Sequence, residues 1–227
     1  MKKFTIYGER CSGTTYLAEL LLLNFDVEIT WEYGWKHFFG YNDISHADDV
    51  LFIGIVRNLY DWINSLYREK HHLPKELTKN IETFLTNTFY SFNLDPITDQ
   101  ITDNEIMTDR NMETNERYKN IFELRVVKNK FLIEKMPTLV KNYCIITYDD
   151  LTTNFINVMN KLKDCGLKIK NNIEFPLNIS YYKLDTNMKF VKKVNEISKE
   201  VIDKIIMENT ELLFYEDLLF YGLNKEN

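Results

Sequence analysis

The apolar residues fall into short blocks separated by polar stretches, and the length and period of each block distinguish strands from helices. Phe4-Thr5-Ile6-Tyr7 is a short apolar segment, Gly8 to Thr15 is a turn rich in hydroxyls, and Tyr16 to Leu23 resumes as an apolar helical run ending near Asn24. That order predicts strand, loop and helix. Val27 to Trp31 alternates as a short strand, and Asp49 to Val56 is almost unbrokenly apolar, as expected of a central parallel strand covered on both faces. Tyr143 to Tyr148 is a second buried strand. Asn154 to Cys165 carries Phe155, Val158, Met159 and Leu162 at helical spacing, with Gly166 as its cap.

Between these blocks the pattern weakens. Residues 73–114 are polar and acidic, with one amphipathic helix expected around Lys79 to Phe89; the rest reads as a long connection, either a lid over a site or a solvated insertion. A stronger helix is expected over Asn115 to Lys135, with Ile121, Leu124, Lys128, Phe131 and Leu132 recurring and Pro137 enforcing its stop. Arg117, Arg125 and Lys128 are expected to form a solvated face. In the tail, Val194, Ile197, Val201, Ile205 and Leu212 make a helical stripe, and Leu212 to Leu223 adds an apolar patch. Strands alternating with helices predict an α/β fold, three layers with a mostly parallel central sheet, in a single domain.

Composition narrows the functional classes. A 227-residue chain that is 44% hydrophobic, with 4 Pro and 7 Gly, is long enough for one sizeable core. The net charge of −6 argues against a generic binder of nucleic acid or of an anionic membrane. Any anionic ligand must therefore be held by a local cation cluster, for which Arg10, Lys36 and Arg57 are available. The three cysteines, Cys11, Cys144 and Cys165, lack metal-ligand spacing, and with no signal peptide and no run of about eighteen apolar residues a reduced cytoplasmic protein is expected. Cys11 is read as a reactive thiol or, more simply, as a small loop residue.

The candidate chemistry lies at strand ends. Gly8-Glu9-Arg10-Cys11-Ser12-Gly13-Thr14-Thr15, between a strand and a helix, suits an anion held by backbone amides and a helix N-terminus. An ATP-type loop needs a Lys before its terminal Ser or Thr, and none occurs here. The central strand ends in Arg57, a planar fork for a phosphate, where an NTPase more often has an Asp for Mg²⁺. Ser65 follows eight residues later. Histidine as a side-chain type titrates near neutral pH, which makes His37 the candidate base, with Lys36 beside it as the cation for a leaving oxygen; His46 and His71 are the competing bases.

These residues resemble those of the sulfotransferases. Arg10-Cys11-Ser12-Gly13-Thr14-Thr15-Tyr16 is similar to their 5′-phosphosulfate loop, Lys-Ser-Gly-Thr-Thr-Trp, with Cys11 at the Lys position. Arg57-Asn58-Leu59-Tyr60-Asp61-Trp62-Ile63-Asn64-Ser65-Leu66-Tyr67 resembles their 3′-phosphate motif, with Leu59 in place of Pro. Trp35-Lys36-His37 looks like a compressed form of their Lys-Thr-His, and Tyr148-Asp149-Asp150-Leu151 is similar to their Tyr-Glu-Asp-Leu. The resemblance implies a P-loop-like fold and transfer of a sulfuryl group from 3′-phosphoadenosine 5′-phosphosulfate to a hydroxyl or amine of a small-molecule or glycan acceptor, without a metal. Arg10, Cys11, Ser12, Gly13, Thr14, Thr15 and Tyr16 would hold the 5′ end, and Arg57 with Ser65 the 3′-phosphate. His37, Lys36 and Arg10 would be catalytic. The family's Arg-Lys-Gly segment has no clear copy, and Lys183, Lys189, Lys192 and Lys193 are its candidate substitutes. The alternatives are a kinase-like phosphotransferase and an inactive module that binds the nucleotide.

Overall fold

The computed structural model describes the chain except for Gly40–Asn42, His71, Pro96, Asp99, residues 171–179, 184–185 and 190–192, Glu208 and residues 223–227. His71 and Lys192 thus lie outside the described residues, as do the side chains of Lys183 and Lys189. The chain divides into two compact units, the first formed by Met1–Arg57 with Leu132–Val194 and the second by Asn58–Phe131 with Asn195–Asn227.

The first unit is built on a parallel sheet. Its strands are β1 (Lys3–Tyr7), β2 (Glu28–Ile29), β3 (Val50–Val56) and, numbered with those of the second unit, β6 (Tyr143–Thr147), in the order β2-β1-β3-β6. Every pairing is parallel: Tyr7 lies opposite Gly54, and Val56 opposite Thr147. Alternation along the strands sends Phe4, Ile6, Leu51, Ile53, Ile55, Cys144 and Ile146 to one face. There they meet Leu17, Leu20 and Leu21 of α1 (Thr14–Asn24) and Val158, Met159 and Leu162 of α7 (Phe155–Asp164). Such a core, buried on both sides, explains why β3 reads as a continuous apolar run. Toward the other face, Tyr7 and Tyr33 both lie against Phe52.

Between β6 and α7, α6 (Tyr148–Thr153) begins with a reciprocal cap: the Asp150 amide donates to Thr147 Oγ1 at 3.0 Å, and Thr147 Oγ1 donates to the Asp150 carboxylate at 2.7 Å. Thr147 is thus the N-cap, and the Asp150 carboxylate braces its hydroxyl. Gly166, at φ 96°, ends α7 in the left-handed conformation expected of a C-terminal cap.

The second unit contains α2 (Leu59–Arg68), α3 (Ile81–Thr86), the hairpin β4 (Phe92–Leu94) and β5 (Ile101–Glu105), α4 (Ile121–Lys130), α8 (Lys199–Ile206) and α9 (Thr210–Asp217). The helix α5 (Met136–Leu139) and the hairpin strands β7 (Ser180–Lys183) and β8 (Thr186–Lys189) belong to the first unit.

Three sequence expectations are corrected here. The stretch 73–114 holds the β4–β5 hairpin, which the sequence hides because Ile-Thr-Asp-Asn-Glu has no apolar alternation. The helix expected from Asn115 starts only at Ile121, capped by Asn120, whose side chain accepts from the amides of Phe122 and Glu123. It does not stop before Pro137: a π-helical turn over Phe131–Lys135 resets the hydrogen-bond register, and Pro137 falls in the first turn of α5, where its missing donor costs nothing.

The expected solvated face is also overturned. Arg125 is 0% and Lys128 3% exposed. The Arg125 guanidinium lies 4.8 Å above the Trp62 ring and donates to the Glu216 carboxylate at 2.6 and 3.0 Å; Lys128 donates to Asp109 at 2.9 Å, and Ser91 donates to the same carboxylate at 2.6 Å. Arg117 alone behaves as expected, exposed and paired with Glu105 at 2.6 Å. In the tail, Ile197 and Leu212 of the expected stripe are buried, together with Ile202, Ile206, Tyr215 and Leu219, whereas Val194, before α8, and Val201 are exposed.

Candidate functional site

In a parallel sheet the residues that follow each strand emerge at one edge, where ligands of α/β proteins bind. The adjacent strands β1, β3 and β6 are followed by Gly8, Arg57 and Tyr148. The loop after β1 is closed from within. Both the amide and the hydroxyl of Ser12 donate to the Glu9 carbonyl, at 3.1 and 2.7 Å, and Ser12 is fully buried. Gly13 N-caps α1 at φ 99°, which a side chain tolerates poorly. The amides of the first turn that follows have no intrahelical acceptor and point out of the helix N-terminus.

Two glycines make the arrangement possible. A Cβ at Gly8 would stand 2.6 Å from Ser12 Oγ and 2.7 Å from the Ile55 carbonyl, so only glycine lets the loop leave β1 this close to β3. A Cβ at Gly13 would enter the Tyr148 ring. Tyr148 therefore lies against the loop, with its ring edge-on to Tyr16 at 6.1 Å. Tyr16 is half-buried against the core, and burial, with Tyr148 beside it, raises its phenol above the usual range.

The segment after β2 folds back onto this loop. Gly34, at φ 109°, turns the chain, and the Gly8 amide donates to the Lys36 carbonyl at 2.9 Å. Lys36 Nζ donates to Thr15 Oγ1 at 3.0 Å. Its burial pulls the ammonium below the usual lysine range, against the opposing pull of Glu19. His37 Nδ1 lies 2.8 Å from the Gly8 carbonyl. A carbonyl can only accept, so Nδ1 carries the hydrogen and Nε2 is the basic nitrogen of the neutral ring.

Arg57 reaches the same loop from β3. Its Nη1 donates to the Cys11 carbonyl at 3.3 Å, and its guanidinium carbon is 4.7 Å from the centroid of the Tyr148 ring. Cys11 is half-buried at φ 65°, and Arg10 is half-buried beside it.

Lys36, His37 and Arg57, which the sequence separates by up to twenty-one positions, are thus gathered on residues 8–15 with Thr15, Gly8 and Cys11 as their contacts. Ser65 lies half-buried on α2 in the second unit, where its carbonyl accepts from the Glu69 amide at 2.9 Å. His46 is in a turn-rich segment before β3. The sequence reading missed Tyr148 as part of the site. Its signal was available: it is the first residue after a buried strand parallel to the strand that ends in Arg57.

No protein-family model, curated protein or solved structure matches this chain. Among the described residues, no helix is long and apolar enough to cross a membrane. What the coordinates define is a class: an α/β protein with a parallel four-stranded sheet and a glycine- and hydroxyl-rich loop between its first strand and first helix.

Proposed function

We propose that this protein is a sulfotransferase of the three-layer, P-loop-like type, which uses 3′-phosphoadenosine 5′-phosphosulfate and a hydroxyl or amine acceptor. One observation carries the reading: an ammonium, an imidazole and a guanidinium from two separate chain segments contact one loop at a helix N-terminus, at 3.0, 2.8 and 3.3 Å. That donor set fits a ligand with anionic groups at both ends. The outward amides of the first turn of α1 add backbone donors for such an anion.

When bound, the donor supplies a sulfuryl group and departs as adenosine 3′,5′-bisphosphate. His37 Nε2 takes the proton of the acceptor hydroxyl as its oxygen forms the bond to sulfur. Lys36, held by Thr15, neutralises the charge on the departing 5′-phosphate oxygen, and Arg10 adds a second cation there. The amides and hydroxyls of Thr14 and Thr15, with Ser12 and Gly13 shaping the turn, fix the 5′ end. Arg57 takes the 3′-phosphate. Tyr16 stacks on the adenine. These side chains supply the charge neutralisation, and the reaction needs no metal ion.

Titration calorimetry tests this reading. Adenosine 3′,5′-bisphosphate is expected to bind, adenosine 5′-phosphate to bind more weakly, and EDTA to leave sulfuryl transfer from labelled donor unchanged. Heat with Mg²⁺-ATP and none with the bisphosphate would establish the phosphotransferase alternative instead. Bisphosphate binding without transfer to any acceptor would leave the nucleotide-binding module.

A further inference from the structure

Beside His37 the surface carries two large apolar side chains that the core does not use. Trp31 is 38% and Trp35 47% exposed, and their rings lie 5.1 Å apart at 41°. Exposed indoles are costly in solubility, and a pair of them at a candidate site marks a binding surface. The pair is held rather than loose. The Gly34 amide donates to the Trp31 carbonyl at 3.2 Å, and the Phe38 amide donates to the Trp35 carbonyl at 2.9 Å. The Lys36 ammonium lies under both rings, 5.9 Å from Trp31 and 5.3 Å from Trp35. Trp35 then meets His37 edge-on, with centroids 6.2 Å apart.

This geometry selects among ligands. Sandwiching a planar aromatic between two rings needs two stacking distances, about 7 Å, between parallel walls. A 5.1 Å gap at 41° offers neither, so a ligand must lie across the outer faces. The negative π faces that attract Lys36 also attract polarised C–H groups, which a saturated ring bearing several oxygens presents on one side. Such a ring displays hydroxyls around its edge, and one resting on Trp35 brings an edge toward His37. We infer that Trp31 and Trp35 form a platform for a carbohydrate ring, which makes a sugar hydroxyl the acceptor. The inference rests on the sulfotransferase reading for the role of that hydroxyl, whereas the platform itself rests on the two indoles.

The chain has three tryptophans, and the third, Trp62, is fully buried. Changes in tryptophan emission on adding a ligand therefore report on the platform. Methyl β-glucoside, methyl β-galactoside and N-acetylglucosamine are titrated alongside 2-naphthol, a planar acceptor, with bisphosphate calorimetry run on the same samples. At least one sugar is expected to give a saturable emission change in the millimolar range, weakened on the order of tenfold or more in W31A and in W35A. W35F, which keeps a π face, is expected to retain much of it, and all three variants are expected to keep bisphosphate binding, which also shows that they fold.

Bisphosphate heat with no response to any sugar overturns the platform and leaves the donor reading standing. A response to 2-naphthol alone overturns it in favour of a planar aromatic acceptor. A sugar response without bisphosphate heat overturns the acceptor role and leaves a sugar-binding surface.

Discussion

Arg57 and Tyr148 are joined face to ring: the guanidinium carbon lies 4.7 Å from the Tyr148 centroid while the same guanidinium donates to the Cys11 carbonyl. The ring and the carbonyl together fix the plane of the fork. R57A is expected to weaken adenosine 3′,5′-bisphosphate far more than adenosine 5′-phosphate in calorimetry; equal losses would remove Arg57 from the 3′-phosphate. Y148A loosens the fork without removing its charge and should cost a smaller share, about 0.5–2 kcal/mol, with Y148F close to wild type.

The catalytic assignment separates binding from turnover. H37A should lower sulfuryl transfer on the order of a hundredfold or more while leaving bisphosphate affinity unchanged. Survival of activity in H37A would pass the role of base to His46 or His71.

Lys36 predicts an alkaline limb. Its ammonium is the active form, and burial holds its pKa below the ordinary lysine value of 10.5. Activity should therefore fall as pH rises through that lowered value, at a lower pH than an exposed lysine would give. In K36R the limb should move to higher pH, because a guanidinium stays charged throughout the range. A limb that K36R leaves in place belongs to another group.

The two loop glycines make a stability prediction. G13A forces a side chain into φ 99° and into Tyr148, and G8A drives a Cβ onto Ser12 and the Ile55 carbonyl. Each is expected to cost about 1–3 kcal/mol, read as a lowered urea midpoint. An unshifted midpoint in either variant would mean that the loop relaxes around the added methyl.

Cys165 and Cys144 should differ sharply in reactivity. The Cys144 thiol beside it holds Cys165 down at about 7 against the opposing effect of burial, and Lys161 adds to the lowering. Cys144 is pushed well above the ordinary thiol value, by Cys165 and by burial. Iodoacetamide labelling followed by peptide mapping should show Cys165 alkylated with a midpoint near pH 7 and Cys144 protected in the folded protein. C144A removes the main cause, and the Cys165 midpoint should then rise.

The strand-loop-helix at the start of the chain and the buried strands ending at Val56 and Thr147 are legible because continuous apolar runs bounded by Gly, Arg and Asp have few other readings. Lys36 and His37 were legible as chemistry but not as geometry, since their approach to the loop depends on the left-handed turn at Gly34. Arg125 and Lys128 were misread for a clear reason. Their partners, Glu216 and Asp109, are 91 and 19 residues away, and periodicity within a helix carries no trace of a distant carboxylate. The polar β4–β5 hairpin likewise leaves no alternating signature. Both errors concern charged residues satisfied by other parts of the chain, the information a local pattern lacks.

The backbone ladder that sets Val56 opposite Thr147 has a consequence for engineering. Arg57 and Tyr148 are neighbours because each is the next residue after a paired strand end, so the residues from Asn58 to Lys141, ahead of β6, contribute nothing to the spacing itself. Graft points placed within that intervening stretch, lengthening or exchanging surface loops, should leave the fork and the ring in register so long as the ladder stays zipped.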